Sequence, residues 1–344
     1  MNRPINRSKY DRRLSRRELL AMAGGFAASS IVAKPGLVLG GILDRLFHGK
    51  PAVPTAPITP NDEFYVTSYR SPPTVRIEEW QLSVTGLVER PLMLTYEQLV
   101  ARPMTSEIVT LECIGNTVAG EFISTAEWGG VPLRDLLEEA GADRRAYDVV
   151  FYAADQYSDG IRLERALAGD VLVAHRMNGV ALPLGHGFPA RIIVPGLYGM
   201  KSVQWLTKIE LVPHDYRGYY QRSGWTDDAT VKTTSRIDVP IHGTTLRGAR
   251  HPIQGLAFAG TRGIRAVDVS FDDGLSWRAA TIEAPLSPFS WVFWRYDWPA
   301  PGEGLHSIRV RATDGTGQVQ SDDDQPPAPD GATGLHEITV KVEG

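Results

Sequence analysis

Near residue 230 the hydrophobic pattern of the sequence changes, and this change restricts the folds that the chain can adopt. Before that point, short apolar runs typical of strands alternate with a helical pattern. Beyond it, strand-like runs follow one another roughly every 8 to 15 residues, with turns such as Asp273-Gly274 and Asp314-Gly315 between them. The pattern predicts an α+β chain, in which a mixed α/β domain is followed by an antiparallel all-β sandwich.

The first part of the chain contains one strong helical signal. In the run VPLRDLLEEAG, one face is formed by Leu133, Leu136, Leu137 and Ala140, and Gly141 supplies a C-terminal stop. The strand signals around this helix are residues 80–86, 107–113, 148–154 and 191–196. We therefore assign the mixed domain to residues 61–227 and the sandwich to residues 228–344.

The amino-acid composition indicates which class of molecule the protein binds. The chain has 344 residues with 42% hydrophobic content, which is enough to bury the cores of more than one domain. Its 36 basic and 40 acidic residues give a formal charge of -4, without the basic excess of a nucleic-acid binder. We expect a small-molecule substrate and no nucleic acid.

The N-terminus has the layout of an export signal. A basic leader contains the adjacent pair Arg16 and Arg17, and a modest apolar stretch follows it. This order is typical of the twin-arginine route, with a basic amphipathic helix as the alternative. We expect residues 1–50 to be an export signal that is either cleaved or retained as an anchor. Residues 51–60 then form a proline-rich linker, and the protein resides in the periplasm or on the outer face of the cytoplasmic membrane.

Cys113 is the only cysteine, so it cannot form an internal disulfide. It lies at the end of a strand-like run, before Gly115 and Asn116. The residues by themselves leave three interpretations open. The thiol is an inert buried group, the nucleophile of a cysteine hydrolase, or a metal ligand.

The sequence around Cys113 resembles the sulfite oxidase family of molybdenum enzymes. The segments that carry the resemblance are LECIGN, AEWGGVPLRDLL, DQYSDGIRLERAL, NGVALPLGHGFPARIIVPGLYGMKSVQWLTKIEL and the β-rich C-terminal part. It covers nearly all of residues 60–344. It implies a sulfite-oxidase-type molybdopterin domain followed by an immunoglobulin-like dimerisation domain, and hence a homodimer.

The resemblance also implies the cofactor and its ligands. We expect one Mo-molybdopterin per chain, with the Cys113 thiolate bound to the metal. Residues matching the family's other cofactor contacts are Phe64, Tyr65, Thr67, Ser68, Asp155, His186, Arg191, Lys201, Ser202 and Gln204. Gln204 replaces the usual lysine, so one positive charge of the family pattern is missing.

Three further residues match the substrate side of the family's pocket. Trp128 and Tyr157 correspond to its tryptophan and tyrosine, and Arg262 lies where an arginine of the second domain is expected. Together with Cys113, these are the predicted catalytic residues.

The arginine cluster that holds a tetrahedral oxyanion in sulfite-oxidising members is incomplete here. Thr67 stands at one arginine position, and Thr117 and Val118 follow Asn116 where others would be. The sequence therefore predicts weak binding of sulfite.

Two-electron oxygen-atom transfer is the activity that the resemblance implies. With one cysteine there is neither a haem-attachment motif nor an iron-sulfur set, so electrons would be exchanged with a separate partner, a cytochrome or a membrane redox subunit. The alternatives are an S-oxide reductase of the same family, similar to methionine sulfoxide reductases, and an exported binding protein without a cofactor.

Overall fold

The computed structural model describes residues 56–299 and 302–344. The predicted export signal at residues 1–50 and the first half of the predicted linker lie outside the described residues. Among the residues that are described, no helix is both long and apolar enough to span a membrane.

Strands predominate in the described part, and the helices are short. The helices are α1 (Tyr96–Val100), α2 (Leu133–Ala140), α3 (Leu163–Ala166) and α4 (Tyr219–Arg222), with 3-10 turns at Leu184–His186, Gly199–Lys201 and Gly260–Arg262. The strands are β1 (Gln81–Gly86), β2 (Leu92–Thr95), β3 (Thr105–Glu112), β4 (Ile123–Pro132), β5 (Asp148–Ala153), β6 (Ser158–Arg162), β7 (Leu172–Met177), β8 (Val180–Ala181), β9 (Arg191–Ile193), β10 (Leu206–Val212), β11 (Thr234–Val239), β12 (Thr245–Arg247), β13 (Arg250–Phe258), β14 (Ile264–Ser270), β15 (Arg278–Ala279), β16 (Thr281–Ile282), β17 (Val292–Pro299), β18 (Gly304–Asp314) and β19 (His336–Glu343).

In the first half of the described chain, a hydrophobic core lies between two sheets. One sheet has the order β2-β1-β10-β5-β6, and β1 runs parallel to β10. The other has the order β3-β4-β7-β8, with β9 paired to β7. Leu82 and Phe151 from the first sheet pack in one core with Val173 and Ile192 from the second. Burial of these side chains removes apolar surface from water and so holds the layers together.

Helix α2 forms as its apolar periodicity predicts. Leu133, Leu136, Leu137 and Ala140 are all buried, which places the predicted face against the core. Gly141 ends the helix at φ 68°, and its N–H donates to the carbonyl of Glu138. Glycine adopts this left-handed conformation without the steric cost that a Cβ would add.

The second half of the described chain is a β-sandwich. Its sheets have the orders β11-β13-β17-β16 and β12-β19-β18-β14-β15. Ile253 and Trp294 of the first sheet share a core with Val310 and Val340 of the second. At the predicted Asp273-Gly274 turn both residues have positive φ, 59° and 87°, as a tight hairpin-type turn requires.

An apolar cluster joins these two halves behind the loop that contains Cys113. Ile114 and Met200 from the first half pack with Leu256, Phe258 and Trp291 from the sandwich. The sandwich is therefore part of the structural support of this loop.

Candidate functional site

Cys113 lies directly after β3, at the start of the loop that returns to β4. Its backbone N–H donates to the carbonyl of Phe122 at 2.9 Å, and its carbonyl accepts from the N–H of Asn116 at 2.9 Å. The Asn116 side chain crosses the loop, because its Nδ2 donates to Glu112 Oε1 at 2.9 Å and its Oδ1 accepts from the N–H of Phe122 at 3.1 Å. One amide thus connects the side chain of Glu112, before the thiol, to the backbone of Phe122 on the opposite side of the loop.

The Cys113 loop borders an open cleft of about 650 Å³. Most residues that the sequence comparison assigns to the cofactor lie on the wall of this cleft, although they come from distant parts of the chain. The predicted residues that line it are Phe64, Tyr65, Thr67, Ser68, Cys113, Asp155, Tyr157, Arg191, Ser202 and Gln204. His186, Lys201, Trp128 and Arg262 are not among the lining residues.

The environment of Cys113 does not activate its thiol as a nucleophile. Burial raises the pKa of the thiol, and the N–H of Gly115 and the side chain of Thr67 oppose this rise. The negative charge of Glu112 raises the pKa further. A nucleophilic cysteine has a lowered pKa beside a cation, so the site is unlike that of a cysteine hydrolase. A bound metal ion would deprotonate this thiol by its own charge.

Arg191 is a buried cation in the cleft wall, and no carboxylate in the described part of the chain pairs with it. Its Nη1 donates to the carbonyl of His186 at 2.9 Å and its Nη2 to the carbonyl of Ser202 at 3.0 Å. Its Nε is buried without a hydrogen-bond partner among the described residues. Burial lowers the pKa of Arg191 to about 10, while Tyr65 acts in the opposite direction. An anionic group such as a phosphate would compensate both the charge and the unused donor.

His186 lies behind the cleft wall and supports Phe64. Its ring packs edge-on against Phe64 with centroids 5.5 Å apart. Its Nε2 is 2.6 Å from the carbonyl of Asn61, and because a carbonyl only accepts, Nε2 carries a proton. Burial lowers the pKa of His186, which favours the neutral ring. Nδ1, which lacks a partner among the described residues, is then an acceptor.

Lys201 uses its three donors inside the protein. Its Nζ donates to Asp159 Oδ1 at 2.8 Å, to the carbonyl of Gly160 at 2.9 Å and to Asp227 Oδ1 at 3.0 Å. Although burial lowers the pKa of Lys201, the carboxylates of Asp159 and Asp227 outweigh this effect and raise it. The lysine is therefore committed to a buried ion pair rather than to the cleft.

Tyr157 lines the cleft, and its hydroxyl is hydrogen-bonded within the protein. Its hydroxyl lies 3.0 Å from Asp159 Oδ2 and 2.9 Å from the carbonyl of Met200, and both of these oxygens are acceptors. A phenol has a single proton, so that proton is used within the protein. Burial and then the charge of Asp159 raise the pKa of Tyr157 well above its usual value, which keeps the hydroxyl neutral.

Within the described residues, Trp128 and Arg262 make contacts inside the protein and do not line the cleft. Trp128 is fully buried, its Nε1 donates to the carbonyl of Val109 at 3.3 Å, and Arg191 stacks over its ring at 5.0 Å. Arg262 lies in the sandwich, where its Nε donates to Asp314 Oδ2 at 2.7 Å. Trp128 thus contributes to the cleft through Arg191, whereas Arg262 forms an ion pair away from it.

Two tyrosines that line the cleft, Tyr69 and Tyr220, are not among the site residues predicted from the sequence. Tyr220 lines the cleft, and its ring centroid lies 6.1 Å from that of Tyr157. The ring centroids of Tyr69 and Tyr219 are 4.4 Å apart. The short helix α4 carries Tyr219 and Tyr220. The aromatic-rich run DYRGYYQ at residues 215–221 was the available signal, but only tertiary contacts reveal which cavity it borders.

Charge is sparse at the end of the cleft that contains Cys113. Among the described residues lining the cleft, Arg191 is the one Lys or Arg. Three hydroxyl-bearing side chains are close to Cys113. The Thr67 hydroxyl lowers the pKa of the thiol through a hydrogen bond. The charge of the Cys113 thiolate raises the pKa values of Tyr65 and Tyr220. This end can form hydrogen bonds but does not offset the charge of a dianion.

Protein side chains alone do not form a metal site in the described part of the chain. There, no group of three or more His, Cys, Asp and Glu residues is arranged to hold a metal ion. A metal at Cys113 would need most of its donors from another molecule. A dithiolene cofactor satisfies this condition, because it supplies soft sulfur ligands, and the uncompensated Arg191 suits its phosphate.

Comparison with known proteins agrees with this geometry. A family model described as the oxidoreductase molybdopterin binding domain matches residues 69–220, and one described as the Mo-co oxidoreductase dimerisation domain matches residues 227–326. Sulfite oxidase of Gallus gallus is 32% identical, over 77% of this chain and 68% of its own length. Mitochondrial sulfite oxidase of Homo sapiens is also 32% identical; the match covers 77% of this chain and 57% of the length of that relative.

A further relative and a solved structure extend the comparison. NADH nitrate reductase of Solanum lycopersicum is 29% identical over 75% of this chain and 36% of its own length. The crystal structure of the sulfane dehydrogenase SoxCD from Paracoccus pantotrophus covers 92% of this chain and 96% of that chain, with a TM-score of 0.72 and 24% sequence identity. At that identity the match shows a shared fold.

Proposed function

Because this chain belongs to the sulfite oxidase family of molybdopterin-dependent oxidoreductases, we propose that one Mo-molybdopterin binds in the cleft with the Cys113 thiolate as the protein ligand to molybdenum. The observation that carries the proposal is the position of the only cysteine in the same cleft as the buried Arg191, which has no anionic partner within residues 56–299 and 302–344. When bound, the cofactor supplies two-electron chemistry at the metal.

The chain's own residues divide the tasks of holding this group. Arg191 offers an unused Nε and a positive charge to the phosphate, and Ser202, whose Oγ accepts from the N–H of Val194 at 3.1 Å, fixes the adjoining backbone. Asp155 accepts from the N–H of Tyr157 at 2.9 Å and places a carboxylate on the cleft wall for ring donors of the pterin. His186 supports this wall through Phe64.

Metal analysis tests the proposal. Protein purified from a host that makes molybdopterin should contain about one molybdenum per chain, and Cys113→Ser and Arg191→Gln should lower that content strongly. Arg145→Gln, which alters a largely exposed arginine paired with Asp143, is the control and should leave it unchanged. A folded wild-type protein without molybdenum would instead support a binding protein that lacks the cofactor.

The direction of electron flow depends on the substrate. Oxidation of sulfite consumes one water and releases sulfate, two protons and two electrons. Reduction of an S-oxide consumes two electrons and two protons and releases the sulfide and water. In both cases we propose that a separate redox protein, a cytochrome or a membrane redox subunit, exchanges the electrons, because one cysteine cannot form an iron-sulfur set.

An S-oxide is the second candidate substrate, favoured by the hydroxyl-lined end of the cleft. Thr67 stands beside Cys113 where a sulfite-binding pocket would place an arginine, and an uncompensated dianion there would be costly. The loaded enzyme should be screened with sulfite and an electron-accepting dye, and with S-oxides and N-oxides and a donor dye. Rapid turnover of sulfite and none of the oxides would reject this candidate.

A charge substitution at Thr67 provides an independent test of this explanation. In the loaded enzyme, Thr67→Arg should tighten the binding of sulfate, used as a probe, by about tenfold, because a guanidinium forms charge-assisted bonds with an oxyanion. Thr67→Gln adds length without charge and is the matched control. Equal sulfate binding in the two variants would contradict the assignment.

Export and assembly complete the proposal. We propose that residues 1–50 direct export by the twin-arginine route to the periplasm or the outer membrane face, and that residues 228–344 form an immunoglobulin-like domain through which two chains associate. Fractionation should show the Arg16→Lys/Arg17→Lys variant retained in the cytoplasm in folded form, and unchanged export would remove the assignment. Sedimentation analysis of the wild type should give the mass of a dimer.

A further inference from the structure

The strand that leads to Cys113 has its outer edge covered by the β-sandwich. Strand β3 is the edge strand of its sheet, and an uncovered edge leaves backbone groups without partners. Here the N–H of Thr110 donates to the carbonyl of Phe289 at 3.0 Å, and Thr110 Oγ1 accepts from the N–H of Trp291 at 2.8 Å. Ser287 Oγ donates to the carbonyl of Ile108. The segment 287–291 therefore completes this edge immediately before the cysteine.

The loop that follows Cys113 is held from the same side. Arg236, on strand β11 of the sandwich, donates from Nη1 to the carbonyl of Gly120 at 2.7 Å. Its Nε also pairs with Asp238 at 2.7 Å, and the two side chains are only 7% and 10% exposed. A charged donor shielded from water forms a strong hydrogen bond, so the end of the loop is fixed to the sandwich.

Packing within the loop connects this anchor to the thiol. A Cβ added at Gly120 would come within 2.2 Å of Asn116 Oδ1, so these two residues are in close contact. Asn116 in turn bonds to Glu112 and Phe122, which flank Cys113 in the hairpin. A displacement of Gly120 would thus move the Asn116 side chain, which contacts the side chain of Glu112 just before the cysteine and the backbone N–H of Phe122 opposite it.

We propose that the sandwich positions the Cys113 thiol, with Arg236 and the segment 287–291 as positioning residues, in addition to any role in dimerisation. The functional meaning rests on the proposed role of Cys113 as the molybdenum ligand, because small changes in ligand orientation alter the properties of a metal. The positional effect itself is a property of the protein before the cofactor binds. It can therefore be measured separately.

Alkylation of the cofactor-free protein tests the proposal, because Cys113 is the only thiol and every adduct reports its exposure. The protein would be made in a host without molybdopterin synthesis and treated with iodoacetamide under native conditions. Arg236→Met should react about tenfold faster than the wild type, since it loses a hydrogen bond from a charged group. Arg295→Met is the matched control, because Arg295 pairs with Asp297 in the same sandwich at 53% exposure and should leave the rate unchanged.

Two further variants guard against simple unfolding of Arg236→Met, which leaves Asp238 without its partner. Arg236→Met/Asp238→Leu removes both charges of the buried pair, and Ser287→Ala removes the bond to the carbonyl of Ile108 together with the one from the N–H of Phe289 within the same segment. Each variant is first shown to be folded by circular dichroism. Faster alkylation in the folded variants supports positioning by the sandwich, and rates within about twofold of the wild type in all of them overturn it. Absence of molybdenum from the wild type would refute the proposed function without affecting this result.

Discussion

Replacing Lys201 by methionine should expose the energetic role of the buried ion pair beside the cleft. The side chains of Lys201 and Asp159 are 3% and 0% exposed, and Nζ lies 2.8 Å from Asp159 Oδ1. The substitution removes the cation but retains most of the side-chain volume, so loss of packing is minimised. Asp159 keeps donors from the N–H of Gly160 and from Gln221 but loses its cationic partner.

The expected cost is large because a charge remains buried without compensation. Removal of one partner from a buried ion pair destabilises a protein by about 3–5 kcal/mol. The matched control is Lys208→Met, which breaks a pair with Glu210 whose side chains are 37% and 27% exposed. Such partly solvated pairs contribute about 0–1 kcal/mol. The two variants should therefore differ by several kcal/mol in the free energy of unfolding.

Urea unfolding followed by tryptophan fluorescence would measure both variants, at neutral and at acidic pH. Burial raises the pKa of Asp159 in the wild type, and the charge of Lys201 opposes this rise. In Lys201→Met the pKa should therefore rise further, so the folded state binds a proton more readily than the unfolded state. The deficit relative to the wild type should consequently shrink as the pH falls. A cost equal to that of Lys208→Met, or a deficit that does not depend on pH, would refute the assignment of Lys201 to this ion pair.

Two more predictions concern the sandwich. Burial, followed by the positive charge of Arg236, lowers the pKa of His336 to about 4. The folded state therefore binds fewer protons than the unfolded state. The stability that is present above pH 6.5 is lost as the pH falls towards 4. In urea titrations across this range His336→Asn should show a weaker loss, and an unchanged slope would exclude the histidine as its source. Arg262→Met should lower the free energy of unfolding by about 1.5–3 kcal/mol, because it removes a charged hydrogen bond to Asp314, which keeps the N–H groups of Thr316 and Gln318 as donors. A stable variant with reduced turnover would instead favour a catalytic role for Arg262.

Local patterns were sufficient for much of the secondary structure. Helix α2 and its stop at Gly141 follow from apolar spacing and glycine conformation within one short segment. Strand β4, by contrast, includes Gly129 and Gly130 and was not recognised as a strand, although it is almost entirely buried. Its stability comes from pairing with β3 and β7 on both edges, which no local pattern records.

The candidate site shows the same division. The family resemblance predicts that Cys113, Arg191 and Tyr157 belong to one site, and these residues do line one cleft. It also assigned Lys201 to the cofactor, and the structure commits that side chain to Asp159. The sequence shows directly where a basic residue lies. Which carboxylate it pairs with depends on the distant residues that the fold brings close to it.

By itself, the sequence determined the resemblance to the family, the single thiol and the lack of arginine at positions 67, 117 and 118, because residue identity and spacing are read directly from the sequence. Only the tertiary structure decided what surrounds that thiol. Arg236 reaches the carbonyl of Gly120 across a separation of 116 residues, and the segment 287–291 covers an edge strand that lies far from it in the chain. The physical reason is that edge pairing, burial and charge compensation are satisfied between segments that only folding brings into contact.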